Sequence, residues 1–198
     1  MLLYDSRVSG NCYKVRLLLA LLGTPYERAE VDVVDRSGRG ELLGGLNPAL
    51  RVPTIVLDDG RALAESNAIL WYFAEGTPYL PNDGFQRAQV LRWLFFEQYC
   101  HEPNIAVARF LLHVASEAPP AAELAARHRG GYAALDAIEG HLTGKQYLVS
   151  ERYTIADIGL YAYTHVADEG GFELAGYPAI RAWLARVAAL PGHVSIDG

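Results

Sequence analysis

Residues 53–66 read PTIVLDDGRALAES, and this stretch decides the fold class. Two short runs, 53–57 and 61–64, carry the apolar and β-branched residues of strands and flank Asp58-Asp59-Gly60. Asp-Gly readily takes the positive φ of a primed hairpin turn, so the stretch is expected to form a strand, a tight turn and an antiparallel strand. A helix over 66–75 closes the unit.

Upstream, Leu2-Leu3-Tyr4 is a short apolar run. Residues 11–22 then place Val15, Leu18, Leu19 and Leu22 on one helical face. Gly23 ends that helix where a left-handed residue is inexpensive, and Pro25 cannot continue it. A second strand is expected over 27–33, where Ala29, Val31 and Val33 alternate with polar neighbours. Residues 35–45 are charged and glycine-rich, so a loop with a short irregular helix, anchored by Leu42, Leu43 and Leu46, connects it to the hairpin. The order β-α-β, loop, β-hairpin, α matches the thioredoxin-like fold.

Downstream, 76–84 (GTPYLPNDG) concentrates Gly, Pro, Asn and Asp between two helical patterns. The expected division is a thioredoxin-like domain at 1–76, a linker at 77–84 and an all-α helical bundle at 85–198. Within the bundle a long helix over 85–115 is interrupted at Glu102-Pro103, where proline kinks a helix. Further helices are expected over 121–142 and from near Thr154 and Pro178. Thr154-Ile-Ala-Asp157 has the spacing of a capping box.

Composition narrows the function classes. The chain has 198 residues, of which 51% are hydrophobic and 20% charged, with 17 basic and 23 acidic side chains for a formal charge of -6. That is enough apolar material for a core, and the absence of a Lys/Arg block argues against nucleic acid or an anionic membrane as partner. No apolar run approaches the ~18 residues of a membrane span, and the opening MLLYDSRVSG is unlike an export signal, so a cytoplasmic protein is expected. Cys12 and Cys100 have no CxxC spacing, and the scattered histidines suggest no metal site.

Chemistry concentrates at three places in the first domain. Ser9-Gly10-Asn11-Cys12 links the first strand to a helix start, whose unpaired amides and dipole favour an anion; Ser9 either donates its hydroxyl to that anion or caps the helix. At Arg51-Val52-Pro53, a cis Val52-Pro53 bond would turn a backbone edge toward an extended peptide, whereas a trans bond would merely open an edge strand. Glu65-Ser66 begins the helix after the hairpin, with Ser66 expected as its N-cap and the amides behind it suited to a carboxylate.

Taken together, SGNCYKVRLLLALLGTPYE, NPALRVPTIVLDDG, ALAESNAILWYFAE and YTIADIGLYAYTHV resemble the cytosolic glutathione transferase superfamily over nearly the whole chain. The resemblance is to bacterial serine-type members of theta, nu or beta character. It implies a glutathione transferase fold and a homodimer, with glutathione as co-substrate, a small hydrophobic electrophile as second substrate and no metal; a glutathione-dependent disulfide reductase or peroxidase, or a non-catalytic binding module, on the same scaffold is the alternative. By position, Ser9 and Asn11 would be the catalytic groups at the glutathione sulfur. Val52, set by a cis Pro53 after it, would pair its backbone with the cysteinyl part, Glu65 and Ser66 would hold the γ-glutamyl end, and Arg51 the glycine carboxylate. No tyrosine falls at a catalytic position. Cys12 stands where the second cysteine of a redox pair would be, but Ser9 leaves it without a partner. Phe96, Tyr99, His101 and Asn104 are candidates for the second-substrate pocket.

Overall fold

The computed structural model describes residues 1–198 as two compact units. One comprises Met1–Glu75 together with Pro191–Gly198, and the other Gly76–Leu190.

The first unit contains β1 (Leu2–Asp5), α1 (Gly10–Leu21), β2 (Glu27–Glu30), α2 (Arg39–Leu43), β3 (Thr54–Val56), β4 (Ala62–Ala64) and α3 (Ser66–Ala74). The sheet order is β2-β1-β3-β4, with β1 parallel to β2 and antiparallel to β3, which is itself antiparallel to β4. Leu3, Val15, Leu19, Ile55 and Ile69 form the core between sheet and helices, so the faces expected from sequence periodicity are the ones buried. Register then fixes geography. Tyr4 pairs with Thr54 and Thr54 with Ala64, so the segments that follow β1, precede β3 and follow β4 all leave the sheet at one end. Those segments carry the three candidate places.

Local details depart from expectation. The second strand stops at Glu30, short of the expected 33. Within the hairpin turn only Gly60 has positive φ (85°), and the Leu57 carbonyl accepts from the Gly60 amide at 2.9 Å. This is a longer turn closed by a left-handed glycine, not the two-residue primed turn, which needs positive φ at both central residues. The expected 85–198 domain is also too long at its C-terminal end. Arg16 donates to the Ile196 carbonyl (2.6 Å) and Tyr13 Oη to the Val194 carbonyl (2.8 Å), which ties 191–198 to the first unit.

The second unit is helical: α4 (Gly84–Phe96), α5 (Glu102–Arg109), α6 (Ala121–Leu142), α7 (Ile155–Thr164) and α8 (Pro178–Ala188). Between α4 and α5 the chain does not break at Pro103 but widens into a π turn, Glu97–His101, in which the Glu102 amide reaches back to the Glu97 carbonyl. That turn delivers Pro103 to the first turn of α5, where its missing N–H leaves nothing unmade. The capping box at α7 is present, with the Thr154 amide donating to Asp157 Oδ2 at 2.9 Å. Asp157 is fully buried and also accepts from Leu148 N, Trp183 Nε1 and Thr154 Oγ1, so it joins three segments of the unit.

Candidate functional site

Ser9 is the N-cap of α1, with extended backbone, and its Oγ accepts from the Cys12 amide at 3.3 Å. Capping and ligand binding are compatible here, since accepting one amide leaves the hydroxyl hydrogen for a second partner. Cys12 below it is fully buried. Burial, reinforced by the Asp5 charge, pushes its thiol far above the ordinary range, and its Sγ accepts from the Ser6 amide at 3.3 Å. That thiol is structural, not nucleophilic.

Within the first turn of α1, Asn11 Oδ1 accepts from the hydroxyl of Ser66 at 3.3 Å. The contact spans 55 residues of sequence and brings the start of α1 against the start of α3. Each helix start presents unpaired amides and the positive end of a dipole, so two anion-favouring sites lie side by side. Ser66 is not the N-cap of α3, as expected from sequence, but its first helical residue. The cap position falls to Glu65, whose carbonyl accepts from the Ile69 amide at 2.9 Å and whose side chain makes no cap bond. Glu65 has φ 67° and ψ 114°, a conformation that L side chains rarely adopt and that costs roughly 1–3 kcal/mol. Its carboxylate is exposed, at the rim of the same end of the sheet.

The Val52-Pro53 peptide is cis. Val52 is half-buried and Pro53 buried. The loop before it is pinned by side chains: Asn47 Nδ2 donates to the Arg51 carbonyl (3.0 Å) and to Thr54 Oγ1 (3.1 Å), while Thr54 Oγ1 donates to the Arg51 carbonyl (2.9 Å). The Arg51 side chain is exposed, and no hydrogen bond joins its guanidinium to Ser9, Asn11 or Ser66.

Sequence reasoning passed over two buried cations beside this site. Arg39 donates to the Asp32 carbonyl (2.7 Å) and the Leu50 carbonyl (3.3 Å), clamping the loop that leads to Pro53. Lys14, wholly buried, lies 3.4 Å from Ser66 Oγ and 3.5 Å from Asn67 Oδ1. The only sequence signal for Lys14 is that it and Arg16 are the two cations of a largely apolar helix.

Of the candidates in the helical unit, His101 is fully buried with Nε2 2.9 Å from Thr164 Oγ1, and Asn104 Nδ2 donates to the Cys100 carbonyl at 2.6 Å. His101 thus packs inside that unit, whereas Asn104 is half-buried. Tyr99 is 86% exposed.

Comparison with known proteins bears on the family and the fold. Residues 8–75 match the family model "Glutathione S-transferase, N-terminal domain" and residues 101–191 match "Glutathione S-transferase, C-terminal domain". A crystal structure of a glutathione S-transferase from Pseudomonas fluorescens superposes with a TM-score of 0.92 at 49% identity, covering 98% of each chain. Glutathione S-transferase 3 of Zea mays is 30% identical over 96% of this chain and 89% of its own length. A disulfide-bond oxidoreductase of Escherichia coli is 30% identical over 91% and 87% respectively. With both units of the fold accounted for by these matches, the chain belongs to the glutathione S-transferase family.

Proposed function

We propose that the first unit binds glutathione and activates its thiol for attack on a small hydrophobic electrophile. The observation that carries this reading is the 3.3 Å contact between Asn11 and Ser66, which sets a thiolate-favouring helix start beside a carboxylate-favouring one, a spacing suited to a short peptide with a thiolate on its central residue and a carboxylate at the adjoining end. In this reading the Ser9 hydroxyl and the Asn11 amide meet the sulfur. The Val52 backbone beside Pro53 pairs with the cysteinyl residue. Ser66 and the first amides of α3 take the γ-glutamyl carboxylate, Glu65 the ammonium and Arg51 the glycine carboxylate.

The energetics are modest. Lowering a thiol pKa from about 8.5 by about two units requires roughly 2.7 kcal/mol. One hydrogen bond to a charged acceptor supplies about 1.5–3 kcal/mol and a helix N-terminus about 0.3–1 kcal/mol, so Ser9 with the start of α1 suffices. The thiol proton passes to solvent. The sulfur lone pair forms the new bond to carbon while the leaving group departs with its bonding pair, and the chemistry asks for no metal. The active form in this reading is a cytoplasmic homodimer.

A second reading draws on the Escherichia coli oxidoreductase: the same thiolate attacks a disulfide sulfur in place of carbon, expelling the other sulfur as thiolate. Turnover of an aryl halide against that of a mixed disulfide separates the two. For the activation step itself, the ultraviolet absorbance of bound glutathione thiolate is followed against pH. Ser9→Ala is expected to raise the apparent pKa by about one to two units, the equivalent of one charge-assisted hydrogen bond. An unchanged titration removes Ser9 from the mechanism, and no binding of glutathione by the wild type removes the reading altogether.

A further inference from the structure

Resting on the glutathione reading, we propose that Lys14 is a positioning residue that presets the Ser66 hydroxyl as a donor toward the γ-glutamyl carboxylate. Lys14 sits in α1 with 0% exposure, and its Nζ lies 3.4 Å from Ser66 Oγ and 3.5 Å from Asn67 Oδ1. An ammonium has three donors and no acceptor. Wherever it meets a hydroxyl it must therefore donate, and Ser66 Oγ can only accept from it. The Ser66 hydrogen is thereby directed away from Lys14, and the structure has it on Asn11 Oδ1, 3.3 Å away.

Distances of 3.3–3.5 Å are at the long end for such bonds. The chain Lys14, Ser66, Asn11 is thus oriented but loosely held. A carboxylate arriving at the start of α3 is a stronger acceptor than an amide oxygen. Rotation about the Cβ–Oγ bond of Ser66 transfers its hydrogen bond from Asn11 to the ligand, while Lys14 continues to occupy the oxygen. No covalent bond is made or broken. The formal charge behind the hydroxyl adds to the preference for an anion over a neutral group of the same shape. A stem that only packed against α3 would need neither the ammonium nor its placement at Ser66.

The test uses the full chain and isothermal calorimetry with two ligands: glutathione, and its analogue in which the γ-glutamyl α-carboxylate is a carboxamide. In Lys14→Met the affinity for glutathione is expected to fall by roughly tenfold, the scale of one hydrogen bond to a charged acceptor, with little change for the carboxamide. Lys14→Gln, whose amide both accepts and donates, is expected to lose the same preference. Lys14→Arg, which only donates, is expected to retain it. The glutamine and arginine variants keep a polar group in the buried position, so the comparison stands even where the methionine variant does not fold. Equal losses for the two ligands, or an unaltered preference in Lys14→Gln, overturn the inference and leave the glutathione reading intact. Failure of the wild type to bind glutathione overturns both.

Discussion

Replacing Asp157 tests how the helical unit is held together, and its cost can be worked bond by bond. The carboxylate is fully buried. Oδ1 accepts from Leu148 N and Trp183 Nε1, each at 3.0 Å, and Oδ2 accepts from Thr154 N at 2.9 Å and Thr154 Oγ1 at 3.1 Å. Asp157→Ala strands three buried N–H donors, since only the hydroxyl can turn to another partner; at about 1–3 kcal/mol each, a loss of roughly 3–5 kcal/mol is the low end of expectation. Asp157→Asn can keep the Leu148 and Trp183 bonds through its carbonyl but opposes its NH2 to the Thr154 amide, for a loss of about 1–3 kcal/mol. The penalty also depends on pH. Burial pushes the Asp157 carboxyl up to about 6 from its ordinary 3.8, against the pull of its four donors. Because the folded value is raised, the folded chain takes up this proton at higher pH than the unfolded one. The stability it contributes is complete below about 4 and is lost as pH rises through 6. From pH 7.5 to pH 5 the wild type therefore gains about 1.4 kcal/mol from this group, which Asp157→Asn does not, and the cost of the substitution should grow by that amount. Urea unfolding followed by far-ultraviolet circular dichroism at the two pH values reads both quantities. A loss under 1 kcal/mol for Asp157→Ala, or a penalty for Asp157→Asn that is the same at both pH values, would refute the reasoning.

Two glycines of α6 should respond in opposite directions to alanine. A Cβ on Gly131 would lie 2.4 Å from the Phe172 ring, so Gly131→Ala is expected to cost about 1–3 kcal/mol in a thermal melt, whereas Gly140 faces nothing within 4 Å and Gly140→Ala should gain about 0.5–1 kcal/mol from helix propensity. At Glu65 the positive φ favours glycine, and Glu65→Gly is expected to leave stability unchanged or raise it by up to about 1 kcal/mol while weakening glutathione binding. A stability loss above 1 kcal/mol in urea unfolding would mean that the Glu65 backbone is not under strain.

Much of this fold is legible in sequence because its signals are local. Val15, Leu18 and Leu19 at helical spacing fall on the buried face of α1, and Thr154 with Asp157 marks the start of α7 through contacts no more than three residues apart. The missed features depend on distant partners. Lys14 and Arg39 draw no attention in the sequence, since nothing near them announces the Ser66 hydroxyl 52 residues on or the Leu50 carbonyl across a loop. Ser66 reads as a cap because serine at a helix start usually is one. Its hydroxyl is diverted by Asn11, a residue from another element. The π turn is a shift in hydrogen-bond register that residue types do not spell out, beyond the presence of Pro103 just after it.

The return of residues 191–198 to the first unit makes that unit discontinuous along the chain. Arg16 and Tyr13, which lie in its first helix, find their carbonyl partners at Ile196 and Val194. During synthesis these two side chains emerge early and wait for the whole of the helical unit to leave the ribosome before their acceptors exist. A fragment ending at Glu75 would leave a buried guanidinium and a phenol permanently short of those partners, so cutting the gene at the domain boundary should not yield a sound glutathione-binding half.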